Sequence, residues 1–194
     1  MDWNEYSAKL YQAMKDFKYN VGLERLLLES AEKGQTIFTA GNGGSASIAM
    51  HFTTDLSKGA NPGWRDNTRR FRSICLSTNI GYLTALGNDE GYDQIFRQQL
   101  INLARPAQGG VPGDILILIS SSGNSPNIVA AAEYAKQNGM PLIGLTGFKG
   151  GKLRELADYS GHVDTDSYEI AENVHEAFGQ YLSQRLRLDL AKKH

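Results

Sequence analysis

Apolar residues recur through the first thirty positions mostly at intervals of three and four, Tyr6, Leu10, Met14, Phe17, Val21, Leu26 and Leu27, until Gly34 stops the pattern. That spacing predicts a long amphipathic helix over 3–31, or a pair. The pattern then changes period: TIFTA (36–40) is a short β-branched run ending on glycines, and Ala46, Ala49, Met50 and Phe52 resume helical spacing. Strand, tight turn and helix are expected in that order. ANPGWRDNTR reads as a loop between Gly59 and Arg70, RSICLS (72–77) as a strand, and 79–87 and 93–104 as helices, with RPAQGGVPG (105–113) as a connector.

DILILIS (114–120) is apolar without alternation, as strands covered on both faces are. It runs into SSGNSPN and a helical pattern through Ile128, Val129, Ala132 and Ala135; MPLIGLTG (140–147) gives strand and turn, 152–157 a short helix, 159–165 a last strand and 168–193 a long closing helix. Strands alternating with helices predict one α/β domain over residues 1–194, a three-layer αβα sandwich around a parallel sheet.

The 194 residues, 41% hydrophobic and with a formal charge of -1, fill one core and carry no chain-wide basic field, so no direct nucleic-acid partner is expected. Arg65, Arg69, Arg70 and Arg72 read as a solvated loop. A single cysteine, Cys75 in an apolar run, suits a buried thiol in a reducing cytoplasm, and no apolar run is long enough for a membrane helix. The N-terminus lacks the basic start and apolar middle of a signal peptide.

Candidate chemistry collects where predicted strands run into helices. GNGGSAS (41–47) and SSSGNS (120–125) combine glycines, which let backbone bend or approach closely, with hydroxyls. Helix N-termini add free N–H groups and partial positive charge, so a phosphate monoester is a natural occupant. Serine and asparagine are also ordinary caps and turn formers; two such corners in one chain favour the ligand. No GxxxxGK[ST] is present, which excludes a P-loop. His51 and Asp55, at i and i+4, share a face beyond the first corner. A carboxylate there could abstract a carbon-bound proton from an anchored ligand, and an imidazole could act as acid or bind metal, although a simple surface pair is the plainer use of both. In YEIAENVHEAFGQ, Glu172 and His175 are one turn apart, with Gln180 eight residues past Glu172. His162 reads as structural, and His194 carries no signal.

Together AGNGGSASIAMHFTTDL, ALGNDEGYDQIF, GDILILISSSGNSPNIVAAAEYAK, GLTGFKGGKL and ENVHEAFGQ resemble the sugar isomerase (SIS) domain, in its phosphoheptose isomerase branch, from about residue 20 to 185. The resemblance implies a flavodoxin-like fold with a five-stranded parallel sheet. It also implies a homotetramer with the terminal helices at its interfaces, and conversion of sedoheptulose 7-phosphate to D-glycero-D-manno-heptose 7-phosphate through an enediol. By the same resemblance the phosphate falls on Ser45, Ser120, Ser122 and Ser125, lined by Asn42, Gly43, Ser121 and Asn124; the base is Asp55; and Asp89 and Glu172 contact the sugar. Metal-binding members imply zinc at His51, Asp55, Glu172 and Gln180.

The chain departs from the family at two places. Asp55 stands where many members have glutamate, shortening the base by about one methylene, ~1 Å. Gln180 stands where the family has a histidine, and its amide cannot exchange a proton near pH 7. His175 offers a replacement imidazole, though about 140° away from Gln180 round an ideal helix. The family also contains a non-catalytic protein-interaction module, and isomerases of other sugar phosphates are a further alternative.

Overall fold

The computed structural model describes residues 1–61, 63, 70–109 and 113–192. Arg65, Arg69 and His194 lie outside the described residues, so the arginine cluster is seen only at Arg70 and Arg72.

The N-terminal apolar pattern is a pair of helices, α1 (Trp3–Asp16) and α2 (Gly22–Lys33), separated by a two-residue strand β1 (Lys18–Tyr19). β2 (Thr36–Gly41) leads into α3 (Gly44–Thr54), which continues as a single π-helical stretch, Asp55–Gly59, closed by Ala60 N–H donating to Asp55 O. β3 (Arg72–Cys75), α4 (Ile80–Asp89), a 3-10 turn (Tyr92–Gln94) and α5 (Ile95–Leu103) follow. β4 (Ile115–Ile119), α6 (Pro126–Gln137), β5 (Leu142–Thr146), α7 (Gly151–Leu156), β6 (Tyr159–His162) and α8 (Tyr168–Ala191) complete the described chain.

The sheet order is β1-β6-β5-β4-β2-β3. Five strands are parallel, as expected; the sixth, β1, adds an antiparallel edge, pairing Lys18 with His162 and Tyr19 with Gly161. The five-stranded parallel sheet is therefore corrected to a mixed six-stranded one. Two residues are too short to show a period, and what seats β1 is tertiary: a Cβ at Gly161 would lie 2.7 Å from the Phe17 ring.

β4 shows why the central strands read as unbroken apolar runs. Ile115, Ile117 and Ile119 join one cluster with Leu23 and Leu27 of α2, Phe52 of α3 and Phe178, Leu182 and Leu186 of α8. Leu116 and Leu118 face the other way, toward Phe96 and Leu100 of α5, Ile128 and Ala132 of α6 and Leu153 of α7. Each such side chain contributes about 1.5–3 kcal/mol by leaving water, and the alternation of a strand supplies both layers at once. At the start of β4 the buried Asp114 carboxylate accepts from Thr36 N at 2.8 Å and Arg105 N at 2.9 Å, which pins β2 beside β4. Cys75 is buried. Among the described residues no helix is long and apolar enough to cross a membrane.

Candidate active site

Between β2 and β4 the direction of winding reverses. From β2 the chain moves outward to β3, returns to β4, and continues the other way through β5 and β6. The carboxyl ends of β2 and β4 therefore lie side by side, with Gly41 opposite Ile119, while their following helices leave toward opposite faces. Such a divergence opens the crevice where ligands bind in open α/β sheets. Both serine- and glycine-rich corners are at this crevice.

The first corner turns at Gly43, whose φ of +54° suits glycine and starts α3 without a side-chain cap. The second turns at Gly123, φ +67°, so close to the neighbouring turn that a Cβ would stand 1.9 Å from Gly150 O. Ser125 precedes α6 and likewise makes no side-chain capping bond. Two helix starts thus reach the crevice uncapped, each with partial positive charge. They are tied together by a reciprocal amide pair, Asn42 Nδ2 to Asn127 Oδ1 and Asn127 Nδ2 to Asn42 Oδ1, both 2.9 Å, with the Tyr92 hydroxyl donating to Asn42 at 3.1 Å.

Ser45, Ser120 and Ser121 are buried at these corners. Ser120 Oγ accepts from Gly123 N at 3.2 Å and Ser122 Oγ from Asn124 N at 3.4 Å, while the Ser121 Oγ is buried without a partner. An unpartnered buried hydroxyl is costly unless a ligand or water completes it. Asn124 is turned to a structural use, its Oδ1 accepting from Lys152 N at 2.9 Å.

α3 and α8 run side by side in the same direction, and their contacts extend the site away from the corner. Glu172 rests on Gly44, where a Cβ would be 2.2 Å from Oε2; Phe52 packs against Gly179; Ser183 Oγ donates to Asp55 O at 3.4 Å. Between these contacts His51 meets Glu176 through Nδ1 and lies 3.6 Å from Asp55 Oδ1 through Nε2. Gln180 Nε2 donates to Glu176 at 3.2 Å. Burial pushes the Asp55 carboxyl above its ordinary value; His51 opposes that, and Glu176 adds to it. Burial likewise raises Glu172, with Glu169 reinforcing it. A carboxylate whose proton affinity is raised is a stronger base than an ordinary surface aspartate.

The structure therefore brings Asn42, Gly43, Ser45, Ser120, Ser121, Ser122, Asn124 and Ser125 to one crevice, and His51, Asp55, Glu172 and Gln180 to one seam. It corrects His175 as a catalytic imidazole. That ring is fully buried, its Nε2 faces Thr146 O at 3.2 Å, and burial holds it down at about 4. Asp89 is exposed at the end of α4, bonded by Asn88 at 2.7 Å, so within one chain its carboxylate is held there rather than at the serine corners. Glu176, Asn127 and Tyr92 were not singled out in the sequence. Glu176 had a signal, since it is one turn from both Glu172 and Gln180; Asn127 and Tyr92 join the corner only through the sheet order.

The expected zinc ligands do not fit an ion in this arrangement. A divalent ion needs lone pairs converging from several donors. Here only His51 Nε2 and Asp55 Oδ1 face each other, 3.6 Å apart, while the Gln180 amide is turned to Glu176 and the Glu172 carboxylate rests at Gly44. No group of three His, Cys, Asp or Glu among the described residues is placed to hold a metal.

Residues 21–147 match the sequence model of the SIS domain. The chain is 36% identical over 167 residues to a phosphoheptose isomerase of Aliarcobacter butzleri, covering 86% of this chain and 83% of that one. It is 34% identical over 175 residues to phosphoheptose isomerase 1 of Campylobacter jejuni, covering 90% and 88%. A solved phosphoheptose isomerase from Francisella tularensis superposes with a TM-score of 0.83 at 27% identity, covering 95% of this chain and 96% of that one.

Proposed function

The chain belongs to the SIS-domain family and, within it, to the phosphoheptose isomerases, and from that premise we propose that it converts sedoheptulose 7-phosphate to D-glycero-D-manno-heptose 7-phosphate. The observation that carries the reading is the pair of uncapped helix starts at the switch point, locked by Asn42 and Asn127 beside the buried, unpartnered Ser121 hydroxyl. Phosphate at this point receives first-turn N–H groups of α3, the Asn127 N–H of α6, which starts on a proline, and the hydroxyls of Ser45, Ser120, Ser122 and Ser125.

With one end of the sugar anchored, the reacting carbons extend along α3. His51 is six residues past Ser45, about 9 Å along the axis at 1.5 Å per residue, and Asp55 one turn further. Asp55 takes the proton from C1 of the ketose while solvent water gives one to the carbonyl oxygen at C2, and an enediol results. Asp55 then returns its proton to C2 while the C1 hydroxyl gives its own back to solvent, which gives the aldose. Holding the sugar between a fixed phosphate and a fixed carboxylate supplies the orientation this transfer needs. No step uses a metal.

Assembly and compartment are part of the proposal. α1 has no fully buried residue, and Trp3, Tyr11 and Val21 remain at least 65% exposed, an apolar surface suited to a second copy. We therefore propose a cytoplasmic homotetramer. A non-catalytic phosphosugar-binding module is the second reading, favoured by the Gln180 amide, which cannot carry a proton. Incubation with sedoheptulose 7-phosphate separates the two. Formation of the aldose, lost in Asp55→Asn while phosphosugar binding persists, supports the isomerase; binding without conversion by the unaltered protein supports the module.

A further inference from the structure

The seam between α3 and α8 contains a carboxylate for which the proposed proton transfer has no use. Asp55 moves the proton at carbon; Glu176, on the other helix, approaches the substrate only through His51. Its placement is specific. His51 and Asp55 are four apart on α3 and its π-helical continuation, Glu176 and Gln180 four apart on α8, and the two pairs face each other. The Glu176 carboxylate meets His51 Nδ1 and accepts from Gln180 Nε2 at 3.2 Å, while His51 Nε2 is left 3.6 Å from Asp55 Oδ1. His51 is 45% exposed, so its ring edge is open to a ligand; the Glu176 side chain is only 31% exposed.

Either ring nitrogen of a neutral imidazole can carry the proton, and the hydrogen bond made by one nitrogen decides which. A carboxylate at Nδ1 accepts an N–H there and orients the ring. We propose that Glu176 is a positioning residue for His51. It fixes the proton on Nδ1 and the ring plane, so that Nε2 is the nitrogen presented to Asp55 and to the sugar's oxygens. Gln180 then has a role that needs no exchangeable proton: its amide steadies Glu176.

The proposal rests on the isomerase reading for its kinetic consequence but not for its structural one, and the test reads both. In protein labelled with 15N-histidine, long-range proton–nitrogen spectra report which ring nitrogen is protonated. His51 is assigned among the four histidines by its loss in His51→Asn. The expected result is a protonated Nδ1 in the unaltered protein, a mixture of tautomers in Glu176→Ala, and retention of the Nδ1 proton in Glu176→Gln, whose amide oxygen can still accept. With sedoheptulose 7-phosphate, Glu176→Ala lowers kcat about 10–100-fold, the range for lost orienting partners, with KM within about twofold, and Glu176→Gln recovers most of it. A His51 spectrum identical in the unaltered protein and Glu176→Ala overturns the proposal, whether or not the protein turns over the sugar. So does an unchanged kcat in an active enzyme. Should Glu176→Ala fail to fold, Glu176→Leu gives the same comparison.

Discussion

Asp55 and His175 show how environment assigns roles to titratable groups in one chain. Asp55 is pushed up by burial yet open to the cleft, and carries the proton transfer. Asp55→Asn keeps the shape and removes the base, so turnover should fall about 10²–10⁴-fold while phosphosugar binding, read by calorimetry, is retained. His175 is enclosed and held down at about 4 by burial, with the Thr146 carbonyl opposing and His162 adding. Because the folded state resists protonating this ring, the unfolded chain binds more protons between about 4 and the ordinary 6.5. Its contribution is complete above that window and is lost as pH falls through it, roughly 3 kcal/mol in all. His175→Phe removes that titration, and Thr146 O keeps its bond from Val163 N at 3.0 Å. Urea unfolding at pH 7 and pH 5 should show the larger acid loss in the unaltered protein. At this scale the sequence was informative about serine, aspartate and His51, whose positions follow from strand ends and helix phase. It misled at His175, because one turn of helix separates a cleft residue from a core residue, and only the packed sheet decides which is which.

The two glycine-rich corners differ in what each glycine does. Gly123 is in the left-handed region and touches Gly150 O, so Gly123→Ala is strained both by its own φ and by its neighbour. A loss of more than about 2 kcal/mol in unfolding free energy is expected. At Gly44 the backbone is ordinary helix and the nearest obstacle is the movable end of Glu172. Gly44→Ala should leave stability unchanged or raised by up to about 1 kcal/mol and raise KM, since the displaced carboxylate no longer lines the crevice. Helix and strand identities were legible in periodicity, down to the unbroken ILILI of β4. The two-residue β1 and the π-helical continuation of α3 were not: the first is shorter than any repeat, and the second differs from α-helix by one hydrogen-bond step rather than by composition.

For the whole molecule, the reversal of winding between β2 and β4 is what converts two ordinary turn sequences into one crevice. That adjacency is a property of sheet order, which is why Asn127 and Tyr92 were invisible in sequence while the serines beside them were not. The exposed apolar face of α1 predicts assembly. Light scattering should give a tetramer, and Trp3→Glu combined with Tyr11→Glu should shift it toward smaller species. The failure of His51, Asp55, Glu172 and Gln180 to converge predicts turnover insensitive to chelators; loss of activity on chelation, restored by zinc, would contradict it. The most direct test of the central claim is to incubate the protein with sedoheptulose 7-phosphate in deuterium oxide and follow the sugar by NMR. Transfer through an enediol predicts D-glycero-D-manno-heptose 7-phosphate carrying solvent deuterium at C2. Unaltered ketose after prolonged incubation, with its phosphate nevertheless bound, would contradict the account.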